Sequence, residues 1–143
     1  MNILDEDIPE DQYQLLRSWR IPVRRIGVEV GRLGMKDQEI LPLLHSLNRP
    51  TLFSLDHGFF KRRFCHAGYC LVHLDVPEDE AAEYVRRVLR HEELITRNKR
   101  MGAPIFRTPF ASQKVGEFPK LIRLEQGPGF SGASVSVWGG TIG

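Results

Sequence analysis

Acidic residues gather at three places in the chain. Asp5-Glu6-Asp7 follows the apolar start Met1-Asn2-Ile3-Leu4, Asp37 and Glu39 open an apolar-periodic stretch, and Asp56 follows the run Thr51-Leu52-Phe53-Ser54-Leu55. Carboxylates brought together repel one another unless a cation lies between them, and hard cations such as Mg²⁺ take oxygen ligands. Asp5, Asp37 and Asp56 are therefore candidate metal ligands and catalytic groups. Glu6 is a further candidate ligand, and Glu39 a candidate base that positions water. One or two Mg²⁺ or Mn²⁺ ions held by these groups would activate a water and neutralise the charge that develops when a phosphodiester is cleaved. Ser54 lies two residues before Asp56 and so on the same face of an extended chain. Its hydroxyl would orient a carboxylate or a water. Taken singly, each acid has a plainer reading, Asp37 as a helix cap and Asp5 to Asp7 as solvated turn residues; taken together, they favour a metal site.

The elements that must position these groups follow from apolar spacing. Residues 1–4 form a short strand ending in acids. Pro9 suits a first helical turn, where its missing N–H is no loss, and Tyr13, Leu15, Leu16 and Trp19 recur at helical spacing. Val23, Ile26, Val28 and Val30 suggest a second strand. Asp37 can cap a helix whose apolar face is Ile40, Leu41, Leu44 and Leu47. Residues 51–55 and 69–76 are apolar enough to be central strands of a parallel sheet. Pro77-Glu78-Asp79-Glu80 starts a helix with Ala81, Tyr84, Val85, Val88 and Leu89 as its buried stripe. This alternation of strands and helices gives an α/β fold with a mostly parallel sheet. If the first and third strands are neighbours, their acidic ends share the edge where such sheets place their sites.

Further along, 103–106 and 121–124 are short strand candidates, and 127–143 is rich in Gly and Ser, as expected of a flexible tail. The expected organisation is one domain over 1–107 and a C-terminal extension over 108–143. Between the third and fourth strands, Lys61-Arg62-Arg63 is interleaved with Phe59, Phe60 and Phe64. Cations there would hold RNA phosphates while rings stack on bases; a basic surface turn with core phenylalanines is the plainer alternative. Cys65, Cys70 and His73 have a Cys-x4-Cys-x2-His spacing that matches no standard zinc pattern, so packed free thiols are expected instead.

The chain has 143 residues, 41% apolar and 27% charged, with a formal charge of +2. Such a composition belongs to an ordinary globular protein, and the mild basicity neither demands nor excludes nucleic acid. No membrane span or signal-peptide layout is present in the sequence, so a cytoplasmic location is expected.

The three acidic stretches, Ile3-Leu4-Asp5-Glu6-Asp7-Ile8-Pro9, Met35-Lys36-Asp37-Gln38-Glu39-Ile40 and Thr51-Leu52-Phe53-Ser54-Leu55-Asp56, resemble those of the small PIN-like proteins, predicted ribonuclease toxins of bacterial toxin–antitoxin systems. The resemblance spans residues 1–75 and extends more loosely to 101. It implies a PIN-like three-layer α/β/α sandwich, RNA cleavage dependent on Mg²⁺ or Mn²⁺, a cognate antitoxin as partner, and homodimerisation as commonly seen among such toxins. By position it gives metal or catalytic roles to Asp5, Asp37 and Asp56, with Glu6 and Glu39 as helpers. Gly58 stands where the family has a second Asp in the third-strand motif. That departure supports an alternative, a PIN-like module that binds an antitoxin or RNA without turnover. A third reading is a phospho-acceptor receiver domain, which also places acids after its first strand and an Asp after its third. It needs in addition a hydroxyl after strand four, where this chain has Asp75-Val76-Pro77, and a Lys after strand five.

Overall fold

The computed structural model describes residues 1–56, 58, 64, 66–91 and 94–101, together with the backbone of three strands at 105–108, 121–124 and 135–138. Along the chain these are β1 (Asn2–Leu4), α1 (Glu10–Ser18), β2 (Arg24–Arg25), α2 (Asp37–Ser46), β3 (Thr51–Ser54), β4 (Cys70–Leu74), a 3₁₀ turn (Glu78–Glu80) running into α3 (Ala81–Arg90), α4 (Arg97–Arg100), β5 (Ile105–Thr108), β6 (Leu121–Leu124) and β7 (Val135–Trp138). They form one sheet in the order β2-β1-β3-β4-β5-β6-β7. The pairs from β2 to β5 are all parallel, and β6 and β7 add antiparallel strands. β7 falls inside 127–143, where Val135-Ser136-Val137-Trp138 carries the alternation of a strand.

Alternation along the central strands builds two cores. Leu4, Phe53 and Val72 are in register and pack with Tyr13 and Leu16 of α1 and Val85 and Val88 of α3. Their neighbours Ile3, Leu52 and Leu71 point the other way and pack with Ile40 and Leu44 of α2. Helices thus cover both faces in an α/β/α arrangement. Each such fully buried aliphatic or aromatic side chain stabilises the fold by roughly 1.5–3 kcal/mol. Among the described residues, no helix is long and apolar enough to cross a membrane.

Three local expectations change. The second strand is two residues long, because Gly27 takes φ 89° and turns the chain, leaving only a bridge between Ile26 and Val30. Lys36, not Asp37, stands at the N-cap of α2, and its side chain makes no capping hydrogen bond. The start of α3 is served instead by a distant residue: Gln12 of α1, itself buried, accepts the Ala82 N–H through Oε1 at 2.9 Å.

Candidate functional site

Parallel pairing of β1 with β3 puts Asp5 and Asp56 past the same edge of the sheet, since each lies one or two residues beyond its strand. β2 and β3 lie on opposite sides of β1, so the chain reverses its direction of travel across the sheet between them. Ligands of open α/β sheets bind in the crevice outside the strand ends at such a reversal.

The centre of the site is a hydroxyl between two carboxylates. Ser54 Oγ lies 2.8 Å from Asp5 Oδ2 and 3.2 Å from Asp7 Oδ2, and accepts the Asp56 N–H at 3.0 Å. A serine hydroxyl carries one hydrogen, so it can satisfy only one of the two carboxylates at a time. Backbone amides help: Glu6 N–H donates to Asp5 Oδ1 at 2.8 Å and Leu55 N–H to Asp7 Oδ1 at 3.3 Å. They do not offset burial. Asp5 is 6% exposed, and desolvation, followed by repulsion from Asp7, raises its pKa from 3.8 to about 6. Burial also raises Asp7, with the Asp56 charge adding to the effect. A proton or a cation placed between the two carboxylates relieves both costs.

The remaining acids are arranged differently. Asp56 is exposed and its Oδ1 accepts the Gly58 N–H at 2.8 Å. The Glu6 carboxylate accepts the Gly34 N–H at 3.1 Å, which ties the loop before α2 to the acidic edge. Glu39 pairs with Arg32 at 2.5 Å, and Asp37 is exposed in the first turn of α2. The structure therefore gathers Asp5, Asp7 and Ser54 tightly, keeps Asp56 beside them through its own N–H, and engages Glu6 and Glu39 with other groups. Among the described residues, no three His, Cys, Asp or Glu side chains converge on a point that could hold a metal. Mg²⁺ is nevertheless commonly held by one or two carboxylates, completed by waters and substrate phosphates. The Asp5–Asp7 pair fits that pattern.

Asp7 was not singled out by spacing. Its signal was its position two residues after Asp5, the same spacing that links Ser54 to Asp56. A second residue, Arg25, fixes the loop that carries both acids. Its Nη2 donates to Glu6 O at 3.2 Å and to Ile8 O at 2.8 Å, while Nη1 pairs with Glu10 at 2.7 Å. Its backbone N–H donates to Glu29, which also accepts the Tyr13 hydroxyl.

The basic segment Lys61, Arg62 and Arg63 lies outside the described residues, as does Cys65. Cys70 is buried in the core under α1 and α3, and strand alternation puts His73 on the opposite face, so those two cannot share a metal. Compared with protein-family models, with curated proteins and with solved structures, the chain shows no match in any of the three.

Proposed function

We propose that the chain is a PIN-like ribonuclease that hydrolyses RNA phosphodiesters with the help of Mg²⁺ or Mn²⁺, acting as the toxin of a toxin–antitoxin pair. The observation that carries the reading is the Asp5–Ser54–Asp7 arrangement, with Asp5 and Ser54 buried, Asp7 at the surface and Asp56 beside it, at the reversal point of a parallel sheet. The sequence resemblance names the substrate and the antitoxin.

Asp5 and Asp7 would hold the cation, with Asp56 completing the negative rim. Bound there, the cation supplies charge neutralisation for the phosphate and lowers the pKa of a water. Without a cation, burial and the Asp7 charge hold the Asp5 pKa up at about 6; a cation bound there would favour the ionised carboxylate and keep it as a ligand. Ser54 orients whichever carboxylate is ionised, and Arg25 keeps the acidic loop in place. The test is to incubate the purified chain with single-stranded RNA and Mn²⁺ or Mg²⁺. Cleavage that EDTA stops and that Asp5→Asn/Asp56→Asn abolishes is the expected result; cleavage equal in the double variant sinks the reading.

The strand order favours one other reading. The order 2-1-3-4-5 is also that of receiver-type doubly wound sheets, in which ligands sit at the β1/β3 crevice. In that case Asp56 accepts a phosphoryl group. A base-labile label on Asp56 after incubation with a small phosphate donor, without RNA cleavage, would select it.

A further inference from the structure

The opposite edge of the sheet carries the opposite charge. Arg24, Arg97 and Arg100 line a hollow of about 490 Å³ with Met1, Asn2, Pro22 and Val23. Arg17, Arg20, Arg24 and Glu29 line a second, of about 510 Å³, with Ile21, Pro22 and Val23. The two share Pro22, Val23 and Arg24, so they form one continuous surface at the amino ends of β1 and β2. Among the described residues lining it, Glu29 is the one acid, and that carboxylate is already engaged by Tyr13, by the Arg25 N–H and, at 3.9 Å, by Arg17.

Of the arginines elsewhere in the described residues, Arg25 holds Glu10, Arg32 holds Glu39, and Arg86 and Arg87 hold Glu83, while Arg49 donates to Asn98 Oδ1 at 3.0 Å. Arg20, Arg24, Arg97 and Arg100 form no ion pair among the described residues. Arg100 is 7% exposed, and its guanidinium donates only to neutral oxygens there, Thr51 Oγ1 at 3.0 Å and Leu94 O at 2.9 Å. Burial, and then the nearby Arg97 charge, makes its ionised form costly, an effect that an external anion would relieve. Arg20 closes α1: at φ 60° it takes the left-handed position that ends the helix, its N–H donating to Arg17 O at 2.9 Å and the Ile21 N–H to Leu16 O at 3.1 Å. Its exposed side chain adds a further cation to this surface.

We infer that this amino-edge surface binds the phosphate chain of single-stranded RNA. Guanidinium forks match phosphate oxygens. Two joined hollows with arginines along both offer places for more than one phosphate. The apolar Ile21-Pro22-Val23 segment between them provides a surface against which bases can lie. The site is separate from the acidic edge and needs no hydrolysis there, so its test is run in EDTA.

Fluorescence anisotropy of a labelled single-stranded RNA is measured for the full chain and for Arg20→Gly/Arg24→Ala/Arg97→Ala across a salt series. All three side chains are exposed. The expected result is an affinity loss of about tenfold or more, with the slope of log affinity against log salt shallower by about 2, since each single-strand phosphate contact contributes about 0.7. Arg20→Gly alone should keep or raise the melting temperature while weakening binding, which a purely structural arginine would not do. Unchanged RNA affinity in the triple variant overturns the inference. So does polyglutamate competing as well as RNA, which would mark an acidic protein as the ligand. Inorganic phosphate displacing RNA at equal concentration would mark a single-anion site and overturn it too.

Discussion

The two edges of the sheet are built by the same strands and have opposite chemistry. At the carboxyl edge, buried Asp5 and exposed Asp7 flank one serine hydroxyl, and their ionisation is costly. At the amino edge, Arg20, Arg24, Arg97 and Arg100 gather without ion pairs among the described residues, beside one carboxylate, Glu29, that is engaged by other groups. The dipeptide Arg24-Arg25 shows how close the two come: Arg25 reaches forward to hold the acidic loop, while Arg24 lines the hollows behind. Parallel strands make this separation simple, because every strand start lies at one edge and every strand end at the other. The difference teaches that a net charge of +2 can conceal two strongly polarised regions.

The largest effect that would break this comparison is on catalysis. Asp5→Asn/Asp56→Asn should lower metal-dependent RNA cleavage by about 100-fold or more, while leaving RNA binding in EDTA unchanged. If binding falls in parallel, the two edges are not independent. Next is the clamp between them. Arg25→Ala removes donors from two loop carbonyls and one carboxylate, and should cost about 2–3 kcal/mol in urea unfolding. Arg25→Lys should recover only part, because one ammonium cannot reproduce the fork.

Asp5→Asn alone should do the reverse and stabilise the chain. Asp5 binds its proton more tightly folded than unfolded. Its contribution therefore favours folding most below the ordinary value of 3.8, declines as pH rises, and is lost above about 6. Without divalent cations, the advantage of Asp5→Asn over the natural chain should grow from near zero at pH 4 to on the order of 2–3 kcal/mol at pH 7. Saturating Mn²⁺ should shrink that gap by stabilising the natural chain. A gap that does not vary with pH would contradict the burial argument. The smallest effect is at Gly58. A Cβ there would lie 3.0 Å from Asp56 Oδ1, so Gly58→Asp must turn the Asp56 side chain as it adds a carboxylate. Mn²⁺ affinity by calorimetry should rise a few-fold, and no change would mean that position 58 does not face the cation.

The sheet core was legible because β1, β3 and β4 are continuous apolar runs bounded by acids, Pro or Gly. That legibility extended to the pairing of β1 with β3, which unites Asp5 and Asp56. Asp7 was not distinguished, because three consecutive acids at a strand exit look equally solvated until Ser54 from another strand selects two of them. Apolar alternation predicts a longer β2, since Val28 and Val30 continue the pattern past Gly27, where the chain turns. The arginine surface could not be read at all: Arg20 and Arg24 are separated from Arg97 and Arg100 by most of the chain, and only the sheet brings the two pairs to one edge.

The bond from Ala82 N–H to Gln12 Oε1 has a consequence for motion. It joins the first turn of one helix to the first turn of another across seventy residues of chain. That amide can exchange its hydrogen with solvent only when α1 lifts or α3 frays. Its exchange rate is therefore a single-residue gauge of whether the two helices open together. In Gln12→Leu, which keeps the packing but removes the acceptor, the Ala82 amide should exchange faster than those deeper in α3, uncoupling the two helices while the sheet beneath stays closed.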